Sequence, residues 1–315
     1  MKKLFLLFII LVLCLVTLTG CSKPILGDKI SIVCTTFPQY DWVKNIVGDK
    51  SDSFDITLLM SNIIDLHSYQ PTIADIAKIS RCDLFIYNGG ESDLWIEGVL
   101  KEAVNDRMVV INLVELLGDK MKEEEITDGM EVVDIDISYD EHIWLSLKNA
   151  AILTRELSEA VIKTDSINEE SYIDNRDKYI AELTALDVEY RKLIDIVGTK
   201  TLIFGDRFPF RYLLDDYGIS YYAAFNGCSS ETEASFKTII FLAKKMDELG
   251  IDKIMVTESS NMKIAKAIAD NTKNKGISIL VLNSMQSISF QEVEKGVSYL
   301  NLMKDNLRVI IEALE

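Results

Sequence analysis

The stretch SYIDNRDKYIAELTALDVEYRKLIDIVG, residues 171–198, decides how the chain is built. Tyr172, Tyr179, Leu183, Leu186, Tyr190, Leu193 and Val197 recur at steps of three, four and seven, with charged residues between them. That spacing lays one apolar stripe along a helix, as a rod packed on one side requires. No Gly or Pro occurs from Met130 to Val197; Asp165 or Ser166 can cap the helix start, and Gly198 marks its end. About 30 residues at ~1.5 Å each give a rod of ~45 Å, long enough to run down the back of two small domains. A coiled-coil partner helix is the competing reading, but only about four heptads are present and both flanks read as α/β.

Working outward, short β-branched runs alternate with helical patterns on either side of the rod, the signature of parallel-sheet units. Before it, Ile30–Cys34, Asp55–Leu59, Asp83–Asn88 and Met108–Leu113 read as strands, with helices near Tyr40–Val47, Thr72–Ile79 and Ser92–Val104. After it, the strands are Thr201–Phe204, Ile219–Ala224, Lys253–Thr257 and Ser278–Leu282. The accompanying helices lie near Phe208–Tyr217, Thr232–Leu249, Asn261–Asn271 and Phe290–Leu314. The expected fold class is α/β: two Rossmann-like lobes with parallel sheets, joined by one long rigid backbone helix. The corresponding division is 30–165 for the first lobe, 166–198 for the bridging helix and 199–315 for the second lobe.

The first residues set the compartment. Met1-Lys2-Lys3 precedes an apolar run from Leu4 to Val16 that is shorter than the ~20 residues of a membrane span, and small residues follow it. Residues 1–20 therefore read as a secretory signal. Leu18-Thr19-Gly20-Cys21 is similar to the bacterial lipobox, which makes Cys21 the lipidated first residue of a mature chain tethered through residues 21–29. The expected location is extracytoplasmic, lipid-anchored to the cell membrane. Of the remaining cysteines, Cys34 and Cys82 fall in apolar runs and read as small buried hydrophobes, so no disulfide framework is implied.

Without the first 20 residues, 31 basic residues face 50 acidic ones, a balance of −19 with histidines neutral. Nucleic acid is thereby excluded as an expected partner. Residues 122–141 concentrate this charge, with nine acidic residues and one lysine and no apolar periodicity, and read as a mobile acidic loop. The loop ends at His142, where it can raise the local cation concentration or be a plain solvated insertion.

The chain has only two histidines, His67 and His142, each beside acidic and aromatic residues at a strand or loop exit. Imidazole is the commonest side-chain ligand of transition metals, although either histidine alone is as well read as a polar loop residue. Asp206 and Arg207 follow the strand at Thr201–Phe204, and Glu258 follows Lys253–Thr257. Ligands of open α/β sheets bind outside the carboxyl ends of the strands, so these positions lie on the binding edge of their lobes.

At these residues the chain resembles a family. Asp65-Leu66-His67-Ser68-Tyr69-Gln70-Pro71-Thr72, then Asp83-Leu84-Phe85-Ile86-Tyr87-Asn88-Gly89-Gly90, then Asp140-Glu141-His142-Ile143-Trp144-Leu145-Ser146 look like the recurrent motifs of the zinc/manganese-binding receptors of ABC importers. The resemblance extends over the mature chain, through Tyr212 to Gly218 and the strand before Glu258. It implies a solute-binding lipoprotein, not an enzyme, that carries Zn²⁺, or alternatively Mn²⁺, to a membrane permease and ATPase, acting as a monomer. It also implies four metal ligands, of which His67, His142 and Glu258 carry over directly. The third position falls on Arg207, which stays protonated and cannot bind a cation. Asp206 is the substitute preferred, with water, Glu231 or Glu233 as alternatives and Cys228 as a further soft candidate.

Two imidazoles and two carboxylates suit Zn²⁺ or Mn²⁺, with zinc favoured by raw affinity. A metal-dependent surface adhesin and a secreted metallohydrolase with Glu258 or Asp206 as general base are the competing functions. Against the hydrolase, the chain has no His-Glu-x-x-His, Gly-x-Ser-x-Gly or glycine-rich phosphate-loop motif.

Overall fold

A computed structural model describes residues 29–61, 66–131, 139–198, 200–228 and 233–315. The expected signal 1–20, Cys21, most of the tether, Asp65, Glu231 and residues 132–138 of the acidic segment lie outside the described residues.

The first lobe is a four-stranded parallel sheet of β1 (Ile30–Cys34), β2 (Phe54–Leu58), β3 (Leu84–Tyr87) and β4 (Val109–Asn112), in the order β2-β1-β3-β4. Its helices are α1 (Phe37–Val47), α2 (Ile73–Ile79), α3 (Ile96–Lys101), α4 (Leu113–Leu117) and α5 (Leu147–Thr164). The rod, α6 (Glu169–Asp195), follows. The second lobe repeats the plan with β5 (Thr201–Phe208), α7 (Arg211–Tyr217), β6 (Ser220–Asn226), α8 (Phe236–Leu249), β7 (Lys253–Thr257), α9 (Lys263–Asn271) and β8 (Ser278–Leu282), then α10 (Phe290–Glu294) and α11 (Tyr299–Leu314). Its sheet, also parallel, has the order β6-β5-β7-β8. Each sheet thus reverses its winding beside its first strand, which opens a crevice at the strands' carboxyl ends.

Local chemistry moves several boundaries from their expected places. The single helix expected over Phe290–Leu314 is two, because Gly296 adopts φ +90° and Ser298 starts a new helix by accepting the N–H of Asn301 at 3.3 Å. The strand read as Thr201–Phe204 runs on to Phe208 through a bulge between Phe204 and Arg207, so α7 begins only at Arg211. Gly205 in the bulge is required by close packing, since a Cβ there would lie 2.7 Å from the Cα of Ala265 on α9.

The 27 residues of α6 make a rod of ~40 Å. Tyr172, Tyr179, Leu183, Leu186, Tyr190 and Ile194 are buried along one side, each such side chain contributing about 1.5–3 kcal/mol. The Asp165 carboxylate secures the entry, accepting from Ile167 N–H at 3.1 Å and from the Tyr172 hydroxyl at 2.6 Å. The first half of the rod holds the first lobe: Asn175 Nδ2 donates to Ile46 O at 3.0 Å, and the Tyr179 hydroxyl donates to Asp41 at 3.2 Å. The second half holds the other lobe, with Tyr190 donating to Met303 O at 2.5 Å and Asp187 accepting from Tyr217 at 2.9 Å.

A second connection, not visible in the sequence pattern, runs through α11. Tyr299 packs edge-on against Trp42 at 5.4 Å, donates its hydroxyl to Trp144 O at 2.6 Å and gives its backbone N–H to Asp41 at 3.2 Å. Burial pushes the Asp41 carboxyl up to about 6, against the pull of these donors. Trp144 in turn donates to Ser284 O at 2.8 Å, tying the residue two beyond His142 to the second lobe.

The described part of the acidic segment differs from the mobile loop expected. Glu131 N–H donates to Ala224 O at 2.9 Å and forms a parallel bridge with Phe225. Its carboxylate accepts from Ser235 N–H at 2.7 Å and from the Thr238 hydroxyl at 2.8 Å, while Glu125 pairs with Arg211. The carboxylates are satisfied by donors of the second lobe, so the segment straps one lobe to the other. Among the described residues, no helix is long and apolar enough to cross a membrane.

Candidate metal centre

His67 sits in a single 3₁₀ turn, Leu66–Ser68, between β2 and α2. Buried Leu66 and Tyr69 flank it, and a capping box at Thr72 and Asp75 starts α2. The Tyr69 hydroxyl donates to the same Asp75 carboxylate at 3.1 Å, which fixes the turn against the helix. His67 Nδ1 lies 2.7 Å from Ser92 Oγ, so the ring is oriented by the loop after β3.

That loop is shaped by two glycines in the left-handed region. A Cβ on Gly90, at φ +87°, would come within 2.6 Å of Glu141 Cγ and Oε1. Glycine there lets Glu141 enter. Ser92 N–H donates to Glu141 Oε1 at 2.9 Å, and Asn88 Nδ2 donates to Glu141 O at 2.8 Å. Glu141 is 1% exposed, and its Oε2 has no hydrogen-bond partner among the described residues. Burial raises its carboxyl above the ordinary range, against the Ser92 donors. Asp93, also buried and accepting from Gly89 N–H at 2.9 Å, is pushed up to about 7 by burial, with the neighbouring Glu141 adding to the shift.

His142 is 0% exposed. Asp140 Oδ1 accepts its backbone N–H at 2.8 Å and lies 2.8 Å from its Nδ1. A carboxylate on one imidazole nitrogen fixes the tautomer and directs the other nitrogen's lone pair away, the arrangement that supports a metal-bound histidine. His142 Nε2 is buried with no hydrogen-bond partner among the described residues. Desolvation opposes protonation of this ring, but Asp140, then Glu141 and Glu124, outweigh it and hold the imidazole above its usual range. Asp140 is steadied from the second lobe, its carbonyl accepting from the Tyr212 hydroxyl at 3.0 Å.

The two imidazoles meet edge to face, with ring centroids 5.5 Å apart. His67, Glu141 and Cys228 each offer one donor atom, and the three atoms lie within 4.8 Å of one another. Donors bonded to one zinc ion at 2.0–2.3 Å stand about 3.3–3.8 Å apart, so a contraction of about 1 Å would bring these three onto a common ion. Cys228 follows β6 on a turn whose Gly227 lies against His142: a Cβ there would be 2.9 Å from the imidazole Cε1. Cys228 N–H donates to Glu124 Oε1 at 3.0 Å. Burial pushes its thiol well up, reinforced by Asp140, Glu124 and Glu141. Cys34 and Cys82 are free and buried in the first lobe.

The two carboxylates expected from the second lobe have hydrogen-bond partners of their own. The bulge in β5 turns Asp206 towards β7, where its Oδ2 accepts from the Thr257 hydroxyl at 2.9 Å and Thr257 N–H at 3.3 Å, and its Oδ1 accepts from Arg207 N–H at 2.9 Å. Glu258 accepts from Ser284 N–H at 2.7 Å with one oxygen and from the Ser284 hydroxyl at 2.9 Å with the other. Both hold strand ends together, and the cluster of three potential ligands found among the described residues includes neither of them, nor His142, whose ring instead stands beside that of His67. Arg207 lines a small polar cleft with Asp206, Thr257 and Ser259, and Glu233 is exposed. Sequence reasoning passed over Asp140, Glu141 and Ser92 as partners. An acid two residues before a histidine was the available signal for Asp140, whereas Ser92 has none.

Known proteins can be set beside this geometry. Residues 32–313 match the family model for the zinc-uptake complex component A, periplasmic. The high-affinity zinc uptake system protein ZnuA of Bacillus subtilis is 30% identical over 291 residues, covering 91% of this chain and 88% of the relative. The zinc-binding lipoprotein AdcA of Streptococcus pneumoniae is 27% identical over 98% of this chain, which spans only 60% of that relative's length. Among solved structures, the metal-dependent lipoprotein YcdH of Bacillus subtilis superposes with a TM-score of 0.73 at 28% identity, covering 91% of this chain and all of that one.

Proposed function

The chain belongs to the family of periplasmic A components of zinc-uptake complexes, and from that premise we propose that it is the extracytoplasmic zinc receptor of an ABC uptake system. It performs no chemistry on its cargo. It binds the ion at the seam of its lobes and presents it to a permease and its ATPase. The observation that carries this reading is the meeting of the only two histidines, 75 positions apart in the sequence, at 5.5 Å between rings. Buried atoms with lone pairs to give, Nε2 of His142 and Oε2 of Glu141, fit a cation there.

His67 and His142 are the imidazole donors in this proposal. Ser92 and Asp140 hold their rings, and the strap of residues 122–131 keeps the second lobe against them. Asp206 and Glu258 accept hydrogen bonds that fix the strand ends of the second lobe, and each keeps lone pairs beyond those bonds. Zinc is the cargo in the names of the relatives, with manganese the alternative for a nitrogen and oxygen site. Cys21 carries lipid and tethers the chain to the membrane, a reading supported by Leu18-Thr19-Gly20-Cys21 and by the naming of relatives as lipoproteins. Loss of labelled fatty acid in Cys21→Ser is the expected result.

Equilibrium dialysis against zinc tests the receptor itself. Wild type takes up one ion per chain and the double variant His67→Ala, His142→Ala takes up none at the same free zinc; equal uptake by both overturns the proposal.

A further inference from the structure

We propose that Cys228 is a zinc ligand, so that the ion is held by His67, Glu141, His142 and the Cys228 thiolate. The inference rests on the receptor reading above and deepens it by naming the donor set and the ion it selects. Four observations converge. The Cys228 sulfur lies within 4.8 Å of donor atoms on both His67 and Glu141. Independently, Glu141 and His142, 1% and 0% exposed, each bury a lone-pair atom that has no partner among the described residues, which suits a cation rather than another hydrogen-bond acceptor. The turn that carries Cys228 is fitted to the imidazole, since any side chain at Gly227 would strike His142 or Phe208 O at 2.9 Å. The second-lobe carboxylates Asp206 and Glu258 accept bonds from Thr257, Arg207 and Ser284, and among the described residues neither joins this cluster of donor atoms.

Two imidazoles, one carboxylate and one thiolate make four donors, the number of a closed tetrahedral zinc site. Binding breaks the S–H bond of Cys228, releases one proton to water and forms a Zn–S bond, with no change in oxidation state. A thiolate also decides selectivity. Sulfur is a poor partner for the hard Mn²⁺ and a good one for Zn²⁺, so this shell discriminates where an all-nitrogen-and-oxygen shell leaves the choice to geometry. His67, Glu141 and His142 belong to the first lobe and Cys228 to the second. The Zn–S bond is then the link through which the ion itself ties the lobes together.

Cobalt serves as the spectroscopic probe, with zinc and manganese affinities measured beside it. Wild type loaded with Co²⁺ shows a thiolate-to-metal charge-transfer band in the near ultraviolet. Cys228→Ser retains weak ligand-field bands but loses the charge-transfer band. Its zinc affinity falls at least about tenfold, the lower end of what losing even an outer partner of a ligand costs, while manganese affinity changes less than about twofold. X-ray absorption at the zinc edge of wild type needs no variant, and is expected to show one sulfur among the nearest neighbours. Stoichiometric metal binding by wild type with no charge-transfer band and no sulfur neighbour overturns the thiolate ligand and leaves the receptor reading intact. Failure of wild type to bind zinc or cobalt at all overturns both.

Discussion

The two lobes share a sheet order but use their strand ends differently. In the first lobe, His67, Glu141 and His142 face the seam, and each is held from behind: by Ser92 Oγ, by Ser92 N–H and by Asp140. In the second lobe, Asp206 lies within β5 and accepts from Thr257 at the end of β7, while Glu258, just past β7, accepts from Ser284 beyond β8. The contrast teaches that a ligand site needs oriented lone pairs left over after internal demands are met. In the first lobe, Oε2 of Glu141 and Nε2 of His142 are buried with no partner among the described residues; the second lobe supplies the turn at Gly227 and Cys228, and the donors that hold the strap.

Among single substitutions outside the proposed ligands, the largest effect is expected at Asp140, behind His142. Asp140→Asn should weaken zinc binding about 10–100-fold, because the amide no longer fixes the His142 tautomer. Competition dialysis measures it, and an equal loss in Asp206→Asn would erase the difference between the lobes. Gly90→Ala comes next. A side chain at φ +87° that meets Glu141 at 2.6 Å should cost about 1–3 kcal/mol in thermal or denaturant unfolding and weaken zinc as Glu141 is displaced. Glu258→Gln should cost about 1 kcal/mol, as one of two bonds to Ser284 loses its acceptor, with zinc affinity nearly unchanged. A collapse of zinc binding in that variant would make Glu258 a ligand.

Acidity should separate the ion's contribution from the fold's. A raised imidazole pKa at His142 means that its contribution to the stability of the metal-free chain is present below the ordinary histidine range and lost as pH rises through the raised value. Zinc requires the neutral ring, so the rise in Tm on adding zinc should shrink as pH falls through that range. Asp41 and Asp93, raised to about 6 and about 7, act in the same sense on the metal-free chain. Their contribution is present below the ordinary carboxyl value and is lost as pH rises through about 6 and about 7. In Asp41→Asn the fall in metal-free stability between about pH 4 and 6 should flatten, the smallest of these effects.

Much of the architecture was legible because it is written in periodicity. The apolar steps from Tyr172 onward gave the rod, and β-branched runs gave two sheets of four strands. Ile194 rather than Leu193 lies fully in the core, a shift of one residue that a stripe read by eye does not resolve. What periodicity cannot show is pairing across long separations. The acidic composition of residues 122–141 predicts solvation, but Arg211, Ser235 and Thr238, about a hundred positions away, supply the donors that dock it. The strand-end rule singled out Asp206 and Glu258, yet it could not show that β5 runs on past Asp206 to Phe208, nor that both carboxylates accept bonds from neighbouring residues. Glu141 and Cys228 become visible only when the turn at Gly227 is seen against His142.

Anomalous scattering at the zinc absorption edge, from a crystal of the zinc-loaded protein, tests the central claim most directly. A single strong peak is expected between the lobes, bonded to one nitrogen of His67 and to Nε2 of His142 at about 2.0–2.1 Å. A peak on Asp206 and Glu258, with both imidazoles more than bonding distance away, would contradict it.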